Sequence, residues 1–240
     1  MRLRDLDLLP SRNALGDLPE GKLLVCTVNA WSFVTAQKDA DFARVLRESD
    51  VLLPDGESIV RSCRFLHLEN APAERVAGWD CFIHEMGRLE KRGGKCLFAG
   101  STPAVLAAIR ERARKEYPHI EIDTYSPPFK PEFSPEEDCA MVDYINASDP
   151  DLLWIGMTAP RQEKWLRSHW DSLTVRCHCG AVGAVFDFYA GTARRAPEQW
   201  QRRGLEWLYR LLREPRRMAR RYLVGNPLFM YYVLRERFSQ

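Results

Sequence analysis

The chain is 240 residues long, 45% hydrophobic, 28% charged and 11% aromatic, with a formal net charge of +2. That composition belongs to a folded protein with one sizeable core and excludes disordered, collagen-like and disulfide-scaffold chains. The seven cysteines are scattered, odd in number and mostly set in apolar segments, which predicts reduced core thiols.

Taken in chain order, Met1 to Asp7 interleaves charges with leucines and lacks the apolar core of a secretory signal, so the expected location is the cytoplasm. Leu23 to Val28 is an apolar run followed by Asn29, and Val51 to Leu53 is another, ended by Pro54-Asp55-Gly56. Both predict buried strands with polar ends. Between them Ala40, Phe42, Ala43, Val45 and Leu46 recur at helical spacing. Phe82, Ile83, Met86 and Leu89 mark a further helix, and Cys96 to Ala99 a strand. Gly100-Ser101-Thr102-Pro103 then opens a helix from Ala104 to Tyr117. Ile120 to Tyr125 reads as a strand, the Pro-rich stretch Ser126 to Pro135 as a loop, and Glu136 to Ala147 as a helix. A strand at Leu152 to Ile155, a helix from Arg161 and a strand near Val175 to Val182 complete the alternation. Strands alternating with helices predict an α/β fold, a doubly wound, mostly parallel, Rossmann-like sheet with helices on both faces.

The last segment departs from that pattern. From Arg194 onward there are twelve arginines, no lysine and four acidic residues, a local balance of +8 against −6 for the rest of the chain. Leu205, Leu208, Leu211 and Leu212 fall at helical spacing, and no strand signal follows. The expected organisation is therefore an α/β domain over residues 1–193 and a basic helical appendage over 194–240, suited to an anionic partner. Its longest apolar run, Leu228 to Leu234, falls far short of the roughly 20 residues that cross a bilayer.

Ligands of open parallel sheets bind at the carboxyl ends of the strands. The residues to collect are therefore Thr27 and Asn29, Asp55 and Gly56, Gly100 and Ser101, Gly156 to Thr158, and Asp187. Each alone reads first as a cap or turn residue, Asp55 included, since Pro-Asp-Gly is a common turn; several such ends together weaken that reading. Gly100-Ser101 opens a helix whose N–H groups suit a phosphate, but the dinucleotide fingerprint and the Walker lysine are missing, which argues against NAD and ATP. Arg75, Arg161, Arg194 and Arg195 are the cations that remain for phosphates. The Asp-x-Asp triplets Asp5/Asp7, Asp39/Asp41 and Asp149/Asp151 fall away from the strand ends, and Cys177-His178-Cys179 lacks partners for a tetrahedral site. No metal and no cofactor are expected.

Several blocks together resemble the signature of the WecG/TagA/CpsF glycosyltransferases. They are Pro54-Asp55-Gly56, Glu74 to Asp80, Gly100 to Pro103, Gly156 to Glu163, Phe186 to Gly191, Arg195 to Pro197, Gly204 to Arg210, Glu214 to Arg216 and Arg221-Tyr222. The resemblance runs in order from about Thr27 to Tyr222 and departs from the commonest pattern at Met157-Thr158-Ala159. It implies an inverting, metal-independent transferase. Such an enzyme moves sugar from a UDP-sugar, of the UDP-N-acetylmannosamine or UDP-glucose type, to a polyprenyl-diphosphate-linked saccharide. It would work as a peripheral protein on the inner face of the cell membrane, building a cell-surface polysaccharide, with the C-terminal appendage helping to close the site and engage the membrane. Oligomeric state is left open.

By the same resemblance Asp55 takes the place of the general base. Thr27 and Asn29 lie beside the donor sugar, Arg75 and Gln162 line the pocket, and Asp187 contacts UDP. Gly56, Gly100, Ser101, Arg161 and Glu163 are assigned to substrate binding. Without a metal, the departing diphosphate needs cations, and Arg210, Arg217 and Arg220 of the appendage are the candidates. A solvated helix face or simple membrane attraction explains each of them equally well. Two other readings compete. One is a non-enzymatic nucleic-acid-binding module whose basic tail carries Trp207, Tyr209, Tyr222, Phe229, Tyr231 and Tyr232 for stacking. The other is a nicotinamide-dependent oxidoreductase, disfavoured by the missing glycines.

Overall fold

The computed structural model describes residues 1–197, 199–200 and 204–239. Six strands, β1 (Leu23–Val28), β2 (Val51–Pro54), β3 (Gly94–Gly100), β4 (Ile120–Tyr125), β5 (Leu152–Gly156) and β6 (His178–Ala181), form one sheet in the order β2-β1-β6-β5-β3-β4. Every pairing is parallel, so all six carboxyl ends open on the same edge. The expected doubly wound α/β fold is what the chain adopts. Pro54 is accommodated because β2 is an edge strand, and Leu9 N–H covers that edge by donating to Leu52 O at 2.9 Å.

Alternation along each strand splits the core into two layers. Leu24, Cys26 and Val28 of β1, with Leu153 and Ile155 of β5, meet α1 (Ala30–Ala36), α2 (Ala40–Glu48), α3 (Glu57–Phe65), α6 (Pro135–Ser148) and α7 (Arg161–Ser168) on one face. Val25, Leu152 and Trp154 meet α4 (Gly78–Arg92), α5 (Pro103–Glu116) and α8 (Gly183–Tyr189) on the other. Three helices, α1, α3 and α8, lie where the periodicity shows none. They are short, and each begins at a strand end, where burial rather than repeat length secures it, with a side-chain cap on α1 alone of the three. The last expected strand, near Val175 to Val182, is shortened to His178–Ala181, and Asp187, expected at its end, lies instead on α8, which starts at Gly183.

The C-terminal segment is helical, as its leucine spacing predicts: Glu206–Arg213, Pro215–Ala219, a π-helical turn at Arg220–Val224 and a terminal helix Gly225–Phe238. The terminal helix enters the main core. Phe229 and Val233 are each 1% exposed, and Phe229 stands edge-on to Phe33 of α1 with ring centroids 5.4 Å apart. Buried Glu236 accepts from Leu3 N–H (2.7 Å), Arg4 N–H (3.1 Å) and Arg4 Nε (3.1 Å), which ties the end of the chain to its beginning.

At the amino edge of the sheet His178 and Glu85, both 2% exposed, approach to 3.2 Å, while Arg88 donates to Glu85 at 2.8 Å and the other ring nitrogen of His178 lies 2.9 Å from Pro19 O. Burial works against the imidazolium, but Glu85 and the Pro19 carbonyl outweigh it and raise the pKa of His178. The His178 contribution to stability is thus fully present below about pH 6.5 and lost as pH rises through the raised value. Thermal unfolding is expected to follow that sign. Glu85→Leu takes the carboxylate from buried His178, while Arg88 keeps its pair with Glu20 at 2.6 Å; it is expected to lower the midpoint by roughly 5–15 °C, given about 3–5 kcal/mol for breaking a buried pair.

Candidate functional site

The strand ends of β1 and β2 place the first residues. Asp55 N–H donates to both Val28 O and Leu53 O at 2.9 Å, which holds this partly buried carboxylate against the end of β1. Gly56 follows with φ +153°, a conformation that suits glycine, and turns the chain into α3. Asn29 caps α1: its Oδ1 accepts from Trp31 N–H and Ser32 N–H, each at 3.0 Å. Thr27 lies just inside, its methyl against Gly78 at the start of α4.

Charged groups from distant parts of the chain converge on Asp55. Arg75, from the segment before α4, and Glu206, Arg210 and Arg221, from the C-terminal helices, all act on its carboxyl. Burial is the largest influence and raises the pKa of Asp55; Arg75 opposes it, Glu206 reinforces it, and Arg221 and Arg210 oppose it. Arg75 Nη1 donates to Glu206 Oε2 at 2.8 Å, with side chains 14% and 21% exposed, so the helix Glu206–Arg213 is bolted over the strand ends by an ion pair. Burial works to lower the pKa of Arg75, but Asp55 and Glu206 raise it above its usual value. Arg195 joins the cluster, its pKa lowered by burial, with its guanidinium 5.4 Å from the Trp79 ring. Arg210 lies 5.6 Å over the Phe188 ring, and its Nε is buried without a hydrogen-bond partner. The arrangement offers a carboxylate with an upward-shifted pKa beside several guanidinium groups, the combination needed to take a proton and hold a phosphate.

Along the rest of the edge, Gly100 approaches β5 so closely that a Cβ there would lie 2.4 Å from Gly156 O. Ser101 follows at φ +55° and donates its N–H to Gly156 O at 2.9 Å. Gln162 and Glu163 are 4% and 1% exposed, beneath the surface of the edge rather than on it. Arg161 turns away toward the loop after β4, stacking 3.9 Å over Phe133 and donating to Lys130 O. Asp187 is partly buried on α8, its backbone carbonyl accepting from Ala193 N–H at 3.1 Å. Arg220 is exposed on the π-helical turn, and the side chain of Arg217 lies outside the described residues.

The structure therefore brings Asp55, Arg75 and Arg210 into one cluster, with Thr27, Asn29 and Gly56 on the adjoining strand ends. It places Arg161 elsewhere and Glu163 below. Two members of the cluster escape the sequence reading as site residues, Glu206 and Arg221. The spacing of Glu206 and Arg210, four apart on one helix, puts both on the same face and is the signal that points to Glu206. Over residues 7–240 the chain matches the model of the glycosyl transferase WecG/TagA/CpsF family.

Proposed function

From its membership of the WecG/TagA/CpsF family, which makes the chain a glycosyltransferase of cell-surface polysaccharide synthesis, we propose that it transfers a sugar from a UDP-sugar to a polyprenyl-diphosphate-linked saccharide with inversion. The observation that carries this reading is the convergence of Asp55 with Arg75, Arg195 and Arg210 at the carboxyl edge, under the C-terminal helices. An acceptor hydroxyl attacks the anomeric carbon of the donor from the face opposite UDP. Its proton passes to the Asp55 carboxylate, the new C–O bond forms, and the bond from the anomeric carbon to the phosphate oxygen breaks with its electron pair going to UDP. The guanidinium groups take up the charge that grows on the diphosphate. Burial raises the pKa of Asp55 and so makes it a stronger base than an exposed carboxylate.

The Asp-x-Asp carboxylates stand apart from this site. Asp39 caps α2, and Asp151 accepts from Lys95 N–H at the amino end of β3. The arginines thus do the work of a divalent cation, and turnover is expected to survive EDTA. Restoration by Mg²⁺ or Mn²⁺ of an activity lost to chelation would overturn the arginine account. The function itself is tested by ligand protection. UDP at about 100 times its Kd raises stability by about 2.7 kcal/mol and shifts the unfolding midpoint accordingly, whereas protection by single-stranded nucleic acid and not by UDP supports a nucleic-acid-binding module instead.

The C-terminal helices carry a second part of the proposal, attachment to the inner face of the cell membrane. No helix among the described residues is long and apolar enough to span a bilayer. Leu212, Leu223, Met230, Tyr231, Leu234 and Phe238 are nonetheless exposed, alongside exposed Arg213, Arg216 and Arg220. Such a mixture suits the headgroup boundary of an anionic leaflet, where each basic residue contributes about 1 kcal/mol. Because Phe229, Val233 and Glu236 are built into the core, removing this segment would uncover apolar surface and free the N-terminus. Substitution is the cleaner probe. Tyr231→Glu with Phe238→Glu is expected to abolish flotation with vesicles rich in phosphatidylglycerol while leaving thermal stability within a few degrees; undiminished flotation would remove these side chains from the membrane contact.

A further inference from the structure

Beneath the strand ends of β5 and β6 the polar atoms of one glutamine are almost entirely committed to the protein itself. Gln162 Oε1 accepts from Met157 N–H at 3.1 Å and from Gly183 N–H at 3.0 Å, and Gln162 Nε2 donates to Glu163 Oε1 at 3.0 Å. Met157 opens the loop after β5, and Gly183 is the first residue of α8 after β6. The two backbones are in direct contact there: a Cβ on Gly183 would lie 2.1 Å from Met157 O and 2.6 Å from Gln162 Oε1. The Gln162 oxygen is the bolt between the loops.

A primary amide has two faces of opposite character, and nothing in its shape distinguishes them. Turned over, the Gln162 amide would set its NH₂ against the two backbone donors and break both bonds. Glu163 adds to the cost of that turn from the other side, because its carboxyl oxygen accepts from NH₂ and has nothing to offer the amide oxygen when ionised. That service is costly. Glu163 is 1% exposed, burial pushes its carboxyl up to about 7, and its Oε2 has no hydrogen-bond partner. The titratable group that faces it is the Cys26 thiol on β1, itself pushed up by burial and by the Glu163 charge. The cations of α7 are engaged elsewhere: Arg161 with Lys130 O, Lys164 with Asp39 at 3.0 Å and Arg167 with Glu48 at 3.1 Å. A leucine would pack in the same place without the penalty, but it would leave the buried Gln162 NH₂ without its acceptor and weaken the preference for this orientation.

We propose that Glu163 is a positioning residue of the donor site: it fixes the orientation of the Gln162 amide, which in turn fixes the Met157 and Gly183 loops bordering that site. Gln162, by the same geometry, acts through the loops it joins and not by touching the sugar. The link to the donor rests on the function proposed above; the loop clamp does not.

Amide hydrogen exchange on the unliganded full-length protein reads the clamp without any assumption about the substrate. Glu163→Leu is expected to lower protection at Met157 and Gly183 about tenfold, the loss that follows one hydrogen bond, with protection across β1 and β3 unchanged. Glu163→Gln retains an acceptor for Gln162 and is expected to keep the protection while losing its pH dependence. In the wild-type protein protection at these two amides should rise as pH passes 7, since the ionised carboxylate is the better acceptor. With a UDP-sugar, Glu163→Leu is expected to raise KM about tenfold and to change kcat by less than a factor of two. Unchanged protection in Glu163→Leu, or, if that variant does not fold, an unaltered pH dependence in Glu163→Gln, overturns the proposal. Failure of the wild-type protein to bind UDP would overturn the donor assignment and leave the exchange result to decide the clamp.

Discussion

Asp55→Asn is expected to lower turnover by about 100-fold or more, the usual worth of a positioned base, with UDP affinity changed by less than about a factor of two. Asparagine keeps the size and the turn propensity of aspartate, and the backbone bonds from residue 55 to Val28 O and Leu53 O do not involve the side chain. What the substitution removes is the proposed proton acceptor. In the wild-type enzyme the pH profile of kcat/KM should show an acid limb that reports Asp55. The base works when ionised, and its pKa is raised, so activity should fall away at a higher pH than for an ordinary aspartate. The limb should vanish in Asp55→Asn. Near-normal turnover in a folded Asp55→Asn protein would return Asp55 to a structural turn.

Arg75→Ala is the second substitution with a large expected effect, because Arg75 has two partners. In the proposed reaction it supplies positive charge beside the departing diphosphate, and in the structure it neutralises Glu206, 2.8 Å away, where the C-terminal helices meet the strand ends. Removing a group that stabilises developing negative charge is worth about 100- to 1,000-fold in kcat. The same change moves the pH profile in a defined direction. Arg75 lowers the pKa of Asp55 and Glu206 raises it, so losing Arg75 leaves a carboxylate pair and should carry the acid limb upward in pH. Glu206→Gln should carry it downward. A profile that does not respond to either substitution would separate the ion pair from the base, and a folded Arg75→Ala enzyme with full turnover would remove Arg75 from leaving-group stabilisation.

The β1–α2–β2 unit shows how much of the scaffold is written locally. Leu23 to Val28 is a strand in the structure over the same residues as the apolar run, and Ile120 to Tyr125 likewise. The first is a continuous apolar run, as suits a strand buried on both faces of a parallel sheet, and the second alternates at its start, as suits the half-exposed edge strand β4. The helices α1 and α8 are different. At seven residues each they are too short for periodicity, and they exist because Asn29 caps one and the other begins against the Met157 loop. The position of Asp55 was readable because the end of a strand marks the mouth of the sheet wherever the strand falls in the order.

Charge and burial at long range were not readable. Arg75 and Glu206 are 131 residues apart, and no local pattern couples them; the fold decides that they share an ion pair above Asp55. Polar residues such as Gln162 and Glu163, next to a strand end, look the same in sequence whether they line a pocket or lie under it. Burial separates the two cases, because a buried amide must be satisfied by the protein, and here backbone N–H groups from two strand ends satisfy it. The C-terminal segment makes the same point at larger scale. The spacing of its leucines and the excess of arginine determine by themselves that it is helical and basic. That its last helix buries Phe229 against Phe33 and closes on the N-terminus through Glu236 follows from tertiary packing, since contacts between the two ends of a chain leave no mark on the pattern of either end alone.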